Sequence, residues 1–223
     1  LADAYFIFDL DGTLVDNVYE HVLAWKKALE EASVLVPTWR IHRRIGMSGE
    51  LLVRELATLA GVALSPDQVE IVHRRHGEIF KSFDLEARPL PGAGALLAEL
   101  SRRSIAWAIA TSGHADNAGP ALAALNVDRA NAIIVTGDQV KAAKPDPDLF
   151  IAAAARLSAP IADALVVGDA VWDMVAAGRA GARGVGLLSG GYGAAELIGA
   201  GACRIFDDPA DLLAHVSELA PGG

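Results

Sequence analysis

A single cysteine, Cys203, stands in the 223 residues, so no intramolecular disulfide can form and a disulfide-stapled scaffold is excluded. The expected place for Cys203 is a reduced position in a core strand. Aromatic residues make up only 6% of the chain and methionines number two, which leaves aliphatic side chains and alanine to build the core. No apolar run has the length needed to span a bilayer, and no cationic-then-apolar leader follows Leu1. The expectation is a cytoplasmic protein with no membrane partner. Excess positive charge is lacking as well, the formal net charge being −9. Residues 17–88 hold ten Lys+Arg and ten Asp+Glu, leaving nine basic against eighteen acidic residues elsewhere. An acidic body of this kind suits cation binding and argues against a nucleic acid partner. The two basic knots of the neutral segment, residues 40–44 and 73–76, are few; the second reads as a solvated helix face.

Apolar material, by contrast, is ample at 52% of residues, and it falls in two different patterns. Residues 17–33 place Val18, Val22, Trp25, Leu29 and Ala32 at three-to-four spacing, an amphipathic helix. Pro37, Gly46, Gly49, Gly61 and Pro66 divide the next stretch into helices near 38–44, 49–60 and 66–83, with no convincing strand. From Pro91 the pattern alternates. Helices near 92–102, 117–125, 147–157, 171–180, 194–200 and 209–219 separate strands at 105–110, 132–135, 164–167, 184–187 and 203–206. Such alternation predicts an α/β fold: a doubly wound, mostly parallel, Rossmann-like sheet with helices on both faces. Residues 1–16 and 87–223 are expected to form this core, with 17–86 inserted as an all-helical cap.

The first strand, Ala4–Phe8, ends in Asp9-Leu10-Asp11-Gly12-Thr13. Side chains alternate along a strand, so Asp9 and Asp11 point into one small space at its carboxyl end. Paired carboxylates there call for a divalent cation, while Gly12 turns the backbone and exposes amides able to hold an anion. The combination suits phosphate and magnesium.

Three further pieces occur in order: Thr111-Ser112-Gly113 after a strand, Lys144-Pro145-Asp146-Pro147, and Gly168-Asp169-Ala170-Val171-Trp172-Asp173. With Asp9-Leu-Asp11-Gly-Thr-Leu-Val-Asp16 they resemble the four motifs of the haloacid-dehalogenase-like superfamily, in its phosphatase and phosphomutase branch, over the whole chain. The resemblance implies a nucleophilic Asp9 that becomes an aspartyl-phosphate, and Asp11 as general acid and base, protonated when substrate binds. It implies Thr111, Ser112 and Gly113, with Gly12 and Thr13, on the phosphoryl oxygens. Lys144 would neutralise Asp9 and the phosphate, while Lys141 is solvated. Mg²⁺ would be held by Asp9, the Asp11 carbonyl and Asp169, with Asp173 acting directly or through water. Asp11 sets the chain apart from the family's dehalogenases and phosphonatases. Phosphohydrolase of the phosphoglycolate-phosphatase type is the reading these motifs favour. The alternatives are a phosphomutase of the β-phosphoglucomutase type, suggested by His21 with Ala24-Trp25, and a non-catalytic phosphate-binding module. Gly49 stands where the mutase's phosphate-gripping arginine would be, with Arg43 or Arg44 as substitutes. The cap would offer Arg44, Met47, Ser48 and His21 to a small phosphorylated metabolite, and the protein is expected as a monomer or weak dimer.

Overall fold

Strand β1 (Tyr5–Phe8) is buried along its whole length, which is why it reads as an unbroken apolar run and not as an alternation. The computed structural model describes residues 4–84, 86–127 and 132–220. The outermost ends of the expected core, and Leu1 with them, lie outside those residues. Around β1 the sheet runs β3-β2-β1-β4-β5-β6, with β2 at Trp107–Ala110, β3 at Ile133–Val135, β4 at Ala164–Gly168, β5 at Arg183–Leu187 and β6 at Ala202–Phe206. Every described pairing is parallel. The chain winds outward from β1 to β3, then returns to β4 on β1's other side. The order therefore reverses between β1 and β4, where a crevice opens at the strands' carboxyl ends.

Helices α1 (Val18–Glu31), α2 (Thr38–His42), α3 (Gly49–Leu59) and α4 (Pro66–Ser82) come between β1 and the rest of the sheet. Ser65 and Gln68 close a reciprocal capping box at the start of α4. These helices bury a cluster of their own, including Trp25, Leu29, Ile41, Leu52, Leu56 and Val69, distinct from the clusters on the sheet faces. Chain entry and exit are stitched together, Asp16 N donating to Arg88 O (2.9 Å) and Leu90 N to Leu14 O (2.9 Å). The remaining helices are α5 (Ala93–Arg102), α6 (Ala115–Ala124), α7 (Asp148–Arg156), α8 (Val171–Ala180), α9 (Ala194–Gly199), α10 (Pro209–Ala214) and α11 (Val216–Leu219).

Three expectations need correction. Cys203 is exposed, because β6 is the sheet's edge and its residue 203 faces solvent. The single last helix is two, broken at His215, whose ψ of 7° departs from the helical region. The basic knot at 73–76 is only half solvated: Arg74 and Arg75 point outward, while His76 is 5% exposed and packs on Trp25.

Candidate active site

Asp9 follows β1, Thr111 follows β2, and Asp169 follows β4, so three neighbouring strands deliver their last side chains to the crevice. Lys144 enters from the loop before α7, its peptide to Pro145 being cis, and Asp173 enters from the first turn of α8. Lys144 is wholly buried, its Nζ 2.6 Å from Asp9 Oδ1 and 2.8 Å from Asp173 Oδ1. The ammonium thus bridges the two carboxylates. Asp173 Oδ2 accepts from Ala170 N (3.0 Å), and Asp169 Oδ1 accepts from Thr13 Oγ1 (2.7 Å). Asp9, Asp169 and Asp173 each offer an oxygen within 4.8 Å of the others.

Three buried carboxylates share one ammonium, and their ionisation reflects it. Burial lifts the Asp9 pKa to about 7 despite the pull of Lys144, with Asp173 and Asp11 adding repulsion. Burial also raises Asp169 well above the usual carboxylate range, helped by Asp173 and Asp9. Three carboxylates against one ammonium, a set of hard oxygen donors with surplus negative charge, fit a divalent cation. Gly12 makes this packing possible: at φ +79°, a Cβ there would stand 2.5 Å from Asp169 Oδ2.

Asp11 faces a different way. Its carboxylate accepts from Asn17 Nδ2, lies 3.5 Å from His21 Nε2, and receives the Thr111 hydroxyl at 3.4 Å. Enclosure works to raise its pKa, but His21, then Asn17 and Lys144, hold it below the ordinary value. The free site thus holds Asp11 toward its ionised form, against the protonated acid that the resemblance implies when substrate binds. The amides expected to bind an anion are also partly taken. Gly12 N donates to Val15 O (2.8 Å), Thr13 N to Leu10 O (3.3 Å), and Gly113 N to Thr111 Oγ1 (3.0 Å).

Above Asp9 and Asp11 lies a cavity of about 70 Å³ between the sheet ends and the four-helix segment. His21 and Met47 line it. Arg44 does not: its guanidinium pairs with Glu55 (2.9 Å) and donates to Arg40 O on the segment's outer side. Ser48 serves as the N-cap of α3, accepting from Leu51 N, and its own N–H donates to Lys144 O (2.8 Å). Arg43 is drawn away to Glu196 and stacks on Tyr192. Lys141 is exposed.

His73, His76, His114 and Asn117 were not anticipated, yet all line the cavity. A signal existed for two of them. Val69, Val72, His73, His76 and Ile79 recur at three-to-four spacing on α4, so the histidines share its buried stripe. His114 and Asn117 carry no such signal, because α6 begins where Asp138 accepts from Ala115 N (3.1 Å), a partner remote in sequence.

The haloacid dehalogenase-like hydrolase family model matches residues 4–181. Beta-phosphoglucomutase of Bacillus subtilis (strain 168) is 30% identical over 190 residues, covering 82% of this chain and 83% of its own. Phosphoglycolate phosphatase of Rhodospirillum rubrum is 30% identical over 223 residues, covering 97% of this chain and 92% of its own. Among solved structures, a hydrolase from Pseudomonas syringae superposes with a TM-score of 0.94 at 49% identity, covering 97% of this chain and 99% of that one. With this match over residues 4–181, and Asp9, Lys144, Asp169 and Asp173 gathered at the sheet's mouth, the chain belongs to the haloacid dehalogenase-like hydrolases, in the branch that includes phosphoglycolate phosphatases and β-phosphoglucomutases.

Proposed function

We propose that the protein is a Mg²⁺-dependent phosphatase of small phosphomonoesters, working through an aspartyl-phosphate on Asp9. It would act in the cytoplasm as a monomer or weak dimer, with residues 17–86 as a cap over the site. The observation that carries this reading is the division of labour between the two strand-end aspartates. Asp9 lies in the carboxylate cluster against Lys144, whereas Asp11 stands outside that cluster and faces the cavity. Binding alone has no use for the second carboxylate in that position.

In the forward step an Asp9 carboxylate oxygen forms a bond to phosphorus as the ester P–O bond breaks, and Asp11 gives the departing alkoxide its proton. Asp11 then takes a proton from water, whose oxygen attacks the phosphorus and returns Asp9 as a carboxylate with release of phosphate. The dianionic phosphoryl group, set beside Asp11, works against His21 and Asn17 and favours the protonated acid. Lys144 offsets charge on Asp9 and the transferring group, and Thr111 orients Asp11 through its hydroxyl. Asp9, Asp169 and Asp173 would hold the Mg²⁺, which when bound neutralises phosphoryl charge.

Replacing Asp9 by Asn should abolish phosphate release from p-nitrophenyl phosphate at saturating Mg²⁺. Replacing Asp11 by Asn should lower turnover on the order of 10²- to 10⁴-fold. Full activity in the Asp9→Asn protein would end the proposal. A mutase reading is favoured by the β-phosphoglucomutase relative and by His21 at the cavity. It predicts conversion of a sugar 1-phosphate to the 6-phosphate when primed by a bisphosphate; release of inorganic phosphate alone removes it.

A further inference from the structure

His73, His114 and Asn117 line the cavity together with Trp25 and Met47. The imidazole of His73 stacks on Trp25 at 5.8 Å and meets His114 edge-on at 4.9 Å. It occupies the space a side chain at residue 49 would need: a Cβ on Gly49 would come within 2.5 Å of the His73 ring. Gly49 and His73 thus form one unit, in which the missing side chain of the first makes room for the ring of the second.

No lysine or arginine lines this cavity among the described residues. Arg43 and Arg44, the nearest candidates in sequence, are held by Glu196 and Glu55. Of the acids that line the space, Asp9 is met by Lys144 at 2.6 Å and Asp11 has His21 at 3.5 Å, so neither partner is spare for a ligand's second charge. Burial and the neighbouring His114 lower the His73 pKa against the opposing pull of Glu50, and burial lowers His76 well below the ordinary imidazole value. Both shifts favour the neutral ring. A carboxylate or second phosphate in such a place would be desolvated with no free cation to meet it. A hydroxyl suits it better, since neutral imidazole and the Asn117 amide each offer a donor and an acceptor.

Resting on the reading of Asp9 as the phosphoryl acceptor, we propose that this chamber selects phosphomonoesters whose leaving group is an uncharged, hydroxyl-bearing alcohol. Esters carrying a carboxylate or second phosphate are turned away.

The test uses 2-hydroxyethyl phosphate against phosphoglycolate, which differ only by CH₂OH in place of COO⁻, with ethane-1,2-diol bisphosphate as a third ester. All are assayed for phosphate release at saturating Mg²⁺, beside p-nitrophenyl phosphate. The expected result is a kcat/KM for 2-hydroxyethyl phosphate at least tenfold above either charged ester. Gly49→Arg, which places a guanidinium in the His73 space, should move that ratio at least tenfold toward the charged esters. His73→Ala should reduce the ratio, and His73→Gln should restore part of it. No release from any ester would refute the phosphatase reading itself. Release that favours phosphoglycolate or the bisphosphate in the wild-type protein overturns only the selectivity. Folded variants that leave the ratio unmoved overturn it as well. The wild-type ratio decides the matter where a variant fails to fold.

Discussion

Lys144 is the residue whose removal should cost the fold most. Its ammonium is completely enclosed, within 2.8 Å of two carboxylates, and a third stands close by. Replacing Lys144 by Met keeps most of the volume and deletes the charge, so Asp9, Asp169 and Asp173 face one another with no cation. Breaking a buried pair from one side costs about 3–5 kcal/mol, far above the effect of an exposed ion pair. At roughly 2–4 °C per kcal/mol for a chain of this size, the melting temperature should drop on the order of 10 °C in EDTA at pH 7.5. The charge balance also sets the sign of the pH dependence. Without Lys144 the native carboxylates titrate above their unfolded values, so the native state binds the extra protons and stability rises as pH falls from 7.5 toward 5. Adding Asp173→Asn removes one of the repelling charges and should recover part of the loss, with a coupling of about 1–3 kcal/mol in the double-mutant cycle. Urea unfolding across pH 5–7.5, with and without Mg²⁺, measures all of this. A loss below about 1 kcal/mol in EDTA, or additivity of the two substitutions, would refute the electrostatic account of this cluster.

The wild-type protein should show a milder form of the same behaviour. Asp9 titrates near 7 when metal-free, above its unfolded value, so stability is lost as pH rises between about 4 and 7. Mg²⁺ at about one hundred times its Kd should return on the order of 2.7 kcal/mol at pH 7.5, read as a rise in melting temperature. Gly190 leaves no room for a side chain, because a Cβ would overlap the Asp169 carboxylate. Gly190→Ala should raise the Mg²⁺ concentration needed for half-maximal phosphate release at least tenfold while the far-UV spectrum stays native. His76 is buried and its pKa lies well below the ordinary value, so stability present above pH 6.5 is lost as pH falls below it. That slope, close to 1.4 kcal/mol per pH unit for one proton, should be smaller in His76→Phe.

The legible and the illegible parts of the molecule divide along a physical line. Asp9, Thr111 and Asp169 each follow a strand that is apolar because it is buried on both faces, so their place at the sheet's mouth could be read from local pattern. Helix starts marked by their own side chains, such as Ser65 with Gln68, were equally readable. Residues whose role is set by distant partners were not. The Gly12 and Gly113 amides look free in the sequence and are satisfied by Val15 O and the Thr111 hydroxyl. Arg44 looks like a ligand for phosphate until Glu55, on α3, takes its charge.

The ceiling of the cavity shows the same principle at its clearest. Residues 42–48 are tied to four separate loops of the sheet domain. His42 bonds Gly190 O (2.9 Å), the Tyr192 hydroxyl and Trp172 Nε1 both donate to Arg43 O (2.7 and 3.3 Å), Ser112 Oγ donates to Gly46 O (3.1 Å), and Ser48 N donates to Lys144 O (2.8 Å). Nearly all of these bonds end on main-chain atoms within 42–48. They fix where the loop runs without specifying its side chains, so no residue type in the loop announces them. Ser112, Lys144 and Trp172 lie on the segments that carry Thr111, Lys144, Asp169 and Asp173, and Gly190 and Tyr192 on the one after β5, so the ceiling's position is set in part by the segments that gather the carboxylates. A substitution in those loops that shifts Lys144 will shift Ser48 with it, and a change of charge at the cluster will be felt at the cavity roof.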